Sequence, residues 1–166
     1  MKVLWLFIFS ICIVFLAFTP QQAEKYSLKV VQIGAPKYLD SSRTSKTLKL
    51  MTTLTNNTND TLKYFNMSCS TSEIYKADAR FVRVNSEICN KNIPVLLKLL
   101  PHESSTMEIL VDVDLTYNFK TSFQIGIDLI HVKNWMDVEE VFGKFPNRDI
   151  SKLIKKETVW SNKIDG

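Results

Sequence analysis

Between residues 26 and 131 this chain sets its apolar side chains at every second position, and that rhythm leaves few folds open. Tyr26, Leu28 and Val30 alternate with polar neighbours until Ile33-Gly34-Ala35-Pro36 breaks the run. Leu48, Leu50, Thr52 and Leu54 alternate with Lys49, Met51 and Thr53. A strand turns successive side chains to opposite faces, so a period of two marks a strand with one face buried. The cluster Asn56-Asn57-Thr58-Asn59-Asp60 is turn chemistry, because short Asn and Asp side chains cap their own backbone. The run from Thr61 to Cys69 then resumes, with Leu62 and Tyr64 on one face and Phe65, Met67 and Cys69 on the other. Strand, polar turn and strand predict a hairpin.

The rhythm continues. Phe81-Val82-Arg83-Val84 is a short strand, and Pro94 to Leu100 is another, stopped by Pro101. His102-Glu103-Ser104-Ser105 turns the chain into Met107, Ile109, Val111 and Val113. Phe123, Ile125, Ile127 and Leu129 alternate with Gln124, Gly126 and Asp128, and Thr158-Val159-Trp160 returns to strand character near the end. About seven short strands punctuated by turns predict an all-β antiparallel sandwich, formed by one domain over 24–166.

One stretch breaks the period. Across 133–156, Trp135, Val138, Val141 and Phe142 stand three and four apart, which predicts a small helical insertion before the last strand. Asn134 is placed to cap it and Gly143 to end it. Asp149, Ile150, Leu153 and Ile154 read as a second helical turn, with Lys152, Lys155 and Lys156 outward and Asp137, Glu139 and Glu140 as an acidic face. Trp135, Phe142 and Phe145 offer large apolar area amid charge, a composition suited to a partner surface. The alternative is that these aromatics pack down and cap an open end of the sandwich.

Residues 1–23 are of another kind. Lys2 is followed by an apolar run from Val3 to Phe18, then by Thr19-Pro20-Gln21-Gln22-Ala23 ahead of Glu24. A basic start, an apolar middle and a small residue at the cut describe a secretory signal peptide. The alternative is an uncleaved anchor, although the run falls short of the ~20 residues a spanning helix needs. Export leads to a periplasmic or extracellular setting, with membrane contact only through 1–23. The excess of 21 basic over 17 acidic residues is too mild to imply nucleic acid.

Removing 1–23 takes Cys12 away and leaves Cys69 and Cys89. A single pair in an exported chain reads as a disulfide, closing a loop of about 21 residues and contributing roughly 3 kcal/mol. Two free buried thiols are the alternative, and a zinc site wants more Cys or His than His102 and His131 supply.

Other candidate chemistry is thin. His102 and Glu103 are adjacent in a turn and so point apart. His131 ends the clearest strand. Asp112 and Asp114 flank Val113 on one strand face, a pair that hard cations favour, against the plainer reading of a solvated face. Asn56-Asn57-Thr58, Asn59-Asp60-Thr61 and Asn66-Met67-Ser68 match the glycosylation pattern, the first two in an exposed turn. Trp160 reads as a core aromatic on the last strand. No Gly-x-Ser-x-Gly elbow occurs, so no catalytic residue and no cofactor is expected.

Several segments together resemble a known group. Met67-Ser68-Cys69-Ser70, Tyr75, Asp78, Cys89-Asn90-Lys91-Asn92-Ile93-Pro94, Leu99-Leu100-Pro101-His102-Glu103-Ser104, Phe123-Gln124-Ile125-Gly126-Ile127 and Val159-Trp160-Ser161-Asn162-Lys163-Ile164 occur in that order. The layout over residues 48–164 resembles uncharacterised secreted, immunoglobulin-like proteins of bacteria. The resemblance implies an immunoglobulin-like sandwich, supports the disulfide, and places the last strand at 158–164. It implies no activity. The expectation is a non-enzymatic exported binding or envelope-accessory module, its partner an unknown protein or envelope component. The alternative is a secreted proteinase inhibitor presenting the loop from Ile33 to Thr47.

Overall fold

The computed structural model describes residues 24–39, 41, 44–86, 93–117, 122–134 and 155–165. Among them run ten strands: β1 (Tyr26–Gln32), β2 (Lys37–Tyr38), β3 (Ser45–Asn56), β4 (Leu62–Met67), β5 (Tyr75–Ala77), β6 (Val82–Val84), β7 (Pro94–Leu99), β8 (Ser104–Asp114), β9 (Ile125–His131) and β10 (Lys156–Trp160). One sheet has the order β1-β3-β8-β6, with β2 also beside β3; the other has the order β10-β9-β4-β7, with β5 also beside β9. Every pairing between these strands is antiparallel. This is the all-β antiparallel sandwich the alternation predicts. β2 and β5 are the additions, each too short to show a period.

The alternation buries what it should. Leu28, Val30, Leu48, Leu50, Leu54, Ile109, Val111 and Val113 face inward from the first sheet. Leu62, Tyr64, Ile125, Ile127, Leu129 and Val159 meet them from the second, and all belong to one core cluster. Each such side chain contributes about 1.5–3 kcal/mol on burial. Phe65 and Val132 instead form a small separate cluster with Met67, Leu96 and Ile130. That agrees with the two faces read for β4. A polar tie crosses the core: Thr52 Oγ1 lies 3.0 Å from the Tyr75 hydroxyl of the other sheet and donates to the Met107 carbonyl of its own sheet at 2.9 Å. Burial, and then the neighbouring Tyr75, pushes the Tyr64 hydroxyl up to about 12.

The expected hairpin between 48–54 and 61–69 does not form. β3 belongs to the first sheet and β4 to the second, so the Asn-rich turn carries the chain across the sandwich. The β7–β8 connection crosses at the same place in the opposite sense. Since β3 pairs β8 (Thr55↔Ser104) and β4 pairs β7 (Leu62↔Leu99), the two crossings form adjacent arches. Asn56 is why. It is 0% exposed, and its Nδ2 donates to the carbonyls of Asp60, Leu99 and Leu100 at 2.8–3.1 Å. Its Oδ1 accepts from Thr58 N–H and Oγ1, and its own N–H donates to Glu103 C=O. A hairpin turn would expose this side chain; the arch buries it with every polar atom satisfied.

The helical insertion read at 133–156 falls almost wholly outside the described residues, as do Trp135, Phe142, Phe145, Asp137, Glu139, Glu140 and Lys152. One part is corrected. Lys156 opens β10 opposite Ile130 instead of closing a helical turn, so the last strand begins two residues earlier than expected. β9 pairs with β10, and Phe123 is bridged to Ile164 beyond that pairing.

Asn56→Ala should lower the unfolding free energy by about 2–4 kcal/mol, since it strands buried carbonyls in both arches. Urea unfolding measures this. The exposed neighbour Asn57, which bonds Glu24 C=O and Ser27 Oγ, should cost less than about 1 kcal/mol on the same change.

Candidate functional site

The edge strands β1 and β10 belong to different sheets and run side by side, joined by a parallel bridge between Leu28 and Ser161. Beyond that bridge the Asn162 side chain imitates a strand: its Oδ1 accepts from Val30 N–H at 2.8 Å and its Nδ2 donates to Val30 C=O at 3.0 Å. Ser161 is buried and accepts from Ile125 N–H through its Oγ, while Ile164 exchanges both backbone bonds with Phe123. The Trp160-Ser161-Asn162-Lys163-Ile164 segment is therefore a clasp, with separate residues gripping each sheet.

On the other side of the bridge the two edges part. Glu24, Lys25, Tyr26, Glu157, Thr158, Val159 and Trp160 line an open cleft of ≈ 320 Å³ between them. Two of these lining residues meet His131: its Nε2 sits 3.2 Å from Glu157 Oε2, and its ring lies 5.9 Å from that of Tyr26. Burial, then the charges of Glu157 and Asp60, raises the Tyr26 hydroxyl above its ordinary value. His131 ends β9 as expected, but it is half-buried against these two partners and is not a free surface side chain.

Trp160 forms the outer lip, and this corrects its expected place in the core. It is 40% exposed, on the outer face of the second sheet opposite Gly126. A Cβ at position 126 would meet the indole at 2.8 Å, so the absence of a side chain there lets the ring lie across the sheet. Lys76 approaches the far side of the ring, its Nζ 5.4 Å from the centroid, a cation–π contact. Beside it Asp128 holds two lysines: Lys76 at 2.7 Å from Oδ1 and Lys156 at 2.7 Å from Oδ2. Thr158 Oγ1 donates to the same carboxylate at 2.6 Å. Burial pushes the Asp128 carboxyl up, but hydrogen bonds from Lys156, Lys76 and Thr158 outweigh it and leave the pKa lowered. Lys156 thus meets Asp128. No sequence signal gave this cluster, because it depends on the register that sets Lys76, Gly126 and Trp160 in one row.

The remaining sequence candidates take structural roles. His102 adopts a positive φ of 59° and its Nε2 lies 3.1 Å from Asn59 Oδ1, while Glu103 Oε2 accepts from Leu100 N–H at 2.7 Å. The two do point apart, and each fastens the arches. Asp112 accepts from Thr47 Oγ1; Asp114 accepts from Thr116 Oγ1 and N–H, bonds that lower its pKa. Among the described residues no group of three His, Cys, Asp or Glu is placed to hold a metal. Of the glycosylation candidates, Asn56 and Asn66 are buried and Asn59 is exposed, which corrects the exposed turn position read for Asn56. Cys69 is disulfide-bonded, and Cys89 lies outside the described residues. In the loop from Ile33 to Thr47, Ile33 N–H donates to Lys49 C=O, Leu39 N–H to Ser45 C=O, and β2 pairs β3. Ile33 and the Lys37–Leu39 stretch of the loop are thus tied to the sheet.

No family model matches this chain, and no curated protein matches it. Among solved structures it is similar to a FixG-related protein from Vibrio parahaemolyticus, with a TM-score of 0.39 and 8% identity, over 86% of this chain and 97% of that one.

Asp128 has a pH signature. Its folded pKa is depressed, so its contribution is present above the unfolded value of about 3.9 and is lost as pH falls through the folded one. Asp128→Asn should therefore cost about 1 kcal/mol at pH 7, and its deficit relative to the native chain should shrink away as pH falls through the folded pKa of Asp128. Chemical unfolding at a series of pH values reads both.

Proposed function

We propose that this chain is an exported, non-enzymatic binding module that engages a protein or envelope component outside the cytoplasm. The observation that carries the reading is the cleft between β1 and β10, with Trp160 on its lip and Lys25, Glu24 and Glu157 around it. Two strand edges, an exposed aromatic and mixed charge are recognition chemistry.

The reading takes residues 1–23 as the export signal and Cys89 as the disulfide partner of Cys69. Support for the pairing comes from the chain beside it. Ser68 N–H donates to Ile93 C=O, and Ile93 N–H donates to Ser68 Oγ, which holds the chain just after Cys89 against the residue before Cys69. The order of motifs shared with the secreted immunoglobulin-like group of bacteria points the same way.

In-cell photocrosslinking tests the proposal. The full chain, expressed in its source cells, carries a photoreactive phenylalanine in place of Lys25, beside the cleft. This should give a discrete adduct in the exported fraction. The same substitution at Leu110, exposed on the first sheet, should give none. Absence of an adduct at 25, equal adducts at both positions, or retention of the chain in the cytosol would overturn the reading.

A further inference from the structure

We infer that the cleft receives an extended polypeptide segment, which adds as a strand antiparallel to both β1 and β10. The inference rests on the binding-module reading and names the partner's form.

The phase of the backbone bonds carries it. In an antiparallel pair, alternate residues turn both N–H and C=O toward the neighbouring strand. His131 N–H donates to Lys155 C=O, and Ser161 N–H to Ile125 C=O, so residues 155, 157, 159 and 161 face β9. Lys156, Thr158 and Trp160 turn their backbone groups the other way. On β1, Asn57 N–H donates to Lys25 C=O and Ile33 N–H to Lys49 C=O, so the odd residues face β3. Tyr26, Leu28 and Val30 turn toward β10. At the closed end these outward groups are used: Val30 by the Asn162 amide, Leu28 by the bridge to Ser161. At the open end the backbone groups of Tyr26 and Thr158 turn toward the cleft that these two residues help to line.

A partly enclosed slot whose two edges turn backbone donors and acceptors inward is matched by another extended backbone, which carries both. Because β1 and β10 run parallel, one segment can lie antiparallel to both. A volume of ≈ 320 Å³ is at the small end for binding pockets, suited to a few residues of extended chain and too narrow for a folded surface. Side chains set the pattern: a small apolar residue inward against Tyr26 and Val159, a polar one outward beside Trp160.

The test uses the exported protein and the peptide acetyl-Thr-Val-Thr-Val-Thr-amide at millimolar concentration, read by amide hydrogen exchange in NMR. The Tyr26 and Thr158 amides should slow by about tenfold or more, while Val159, already facing β9, stays unchanged. The fully N-methylated peptide, with the same side chains and no N–H, should protect neither. Thr158→Pro removes an N–H that faces the cleft and should abolish protection at Tyr26, whereas Thr158→Ala should keep it. If Thr158→Pro does not fold, Tyr26→Pro makes the same deletion from the other edge, read at Thr158. Unchanged exchange at both amides, or equal protection by the N-methylated peptide, would overturn strand addition. So would an adduct at position 25 that survives Thr158→Pro in a folded chain, and that result would leave the binding module standing. Loss of the adduct from the native chain would remove the binding reading itself.

Discussion

The two arches at one end of the sandwich make the rest of the structure possible, and both depend on the side chain of Asn56. A sandwich must carry its chain from one sheet to the other, and each crossing leaves backbone groups without a ladder. Buried groups of that kind cost about 1–3 kcal/mol each. Here two crossings run together, so one amide serves three carbonyls drawn from both. His102 with Asn59, and Glu103 with Leu100, fasten the rim of the same joint. Register follows from it. Once Thr55 faces Ser104 and Leu62 faces Leu99, β3–β8 and β4–β7 have no freedom to slip.

The two sheets are fastened differently elsewhere. At the arches the chain itself passes between them. At the β1–β10 side, among the described residues, the Asn162 side chain and the Leu28–Ser161 bridge make the connection. Such a side is where local opening is least costly, because few bonds must break for the edges to part. The functional reading follows from that difference. A surface meant to receive another chain needs backbone groups that are available and a rigid frame that keeps them in place. The arches supply the frame, and the outer row of Trp160, Lys76 and Asp128 stiffens β10 from outside.

The sequence made the strands legible and left their partners hidden. Alternation placed Leu48, Leu50, Val111, Val113, Ile125, Ile127 and Leu129 in the core, and all are buried. Yet a period of two says which face is wet and nothing about which strand lies alongside. That is how a turn rich in Asn was read as a hairpin tip when it is an arch. The same limit misplaced Trp160. On composition an aromatic in a last strand belongs inside; only the register, which sets Gly126 opposite it, shows that the outer face has room for an indole. β5 escaped notice because three residues carry no rhythm, and with it went Lys76. Trp135, Phe142 and Phe145 lie outside the described residues, so the proposed site stands on other side chains.

Asn162 gives the clasp a chemical lifetime. An exposed asparagine loses its side-chain nitrogen as ammonia with age and heat, which is why thermophiles keep few of them. That nitrogen is the donor to Val30 C=O. Water must supply the oxygen that replaces it as ammonia leaves, and that carboxylate oxygen would face the carbonyl, two acceptors with no proton between them. At this clasp, hydrolysis of one side-chain amide would turn a donor into an acceptor.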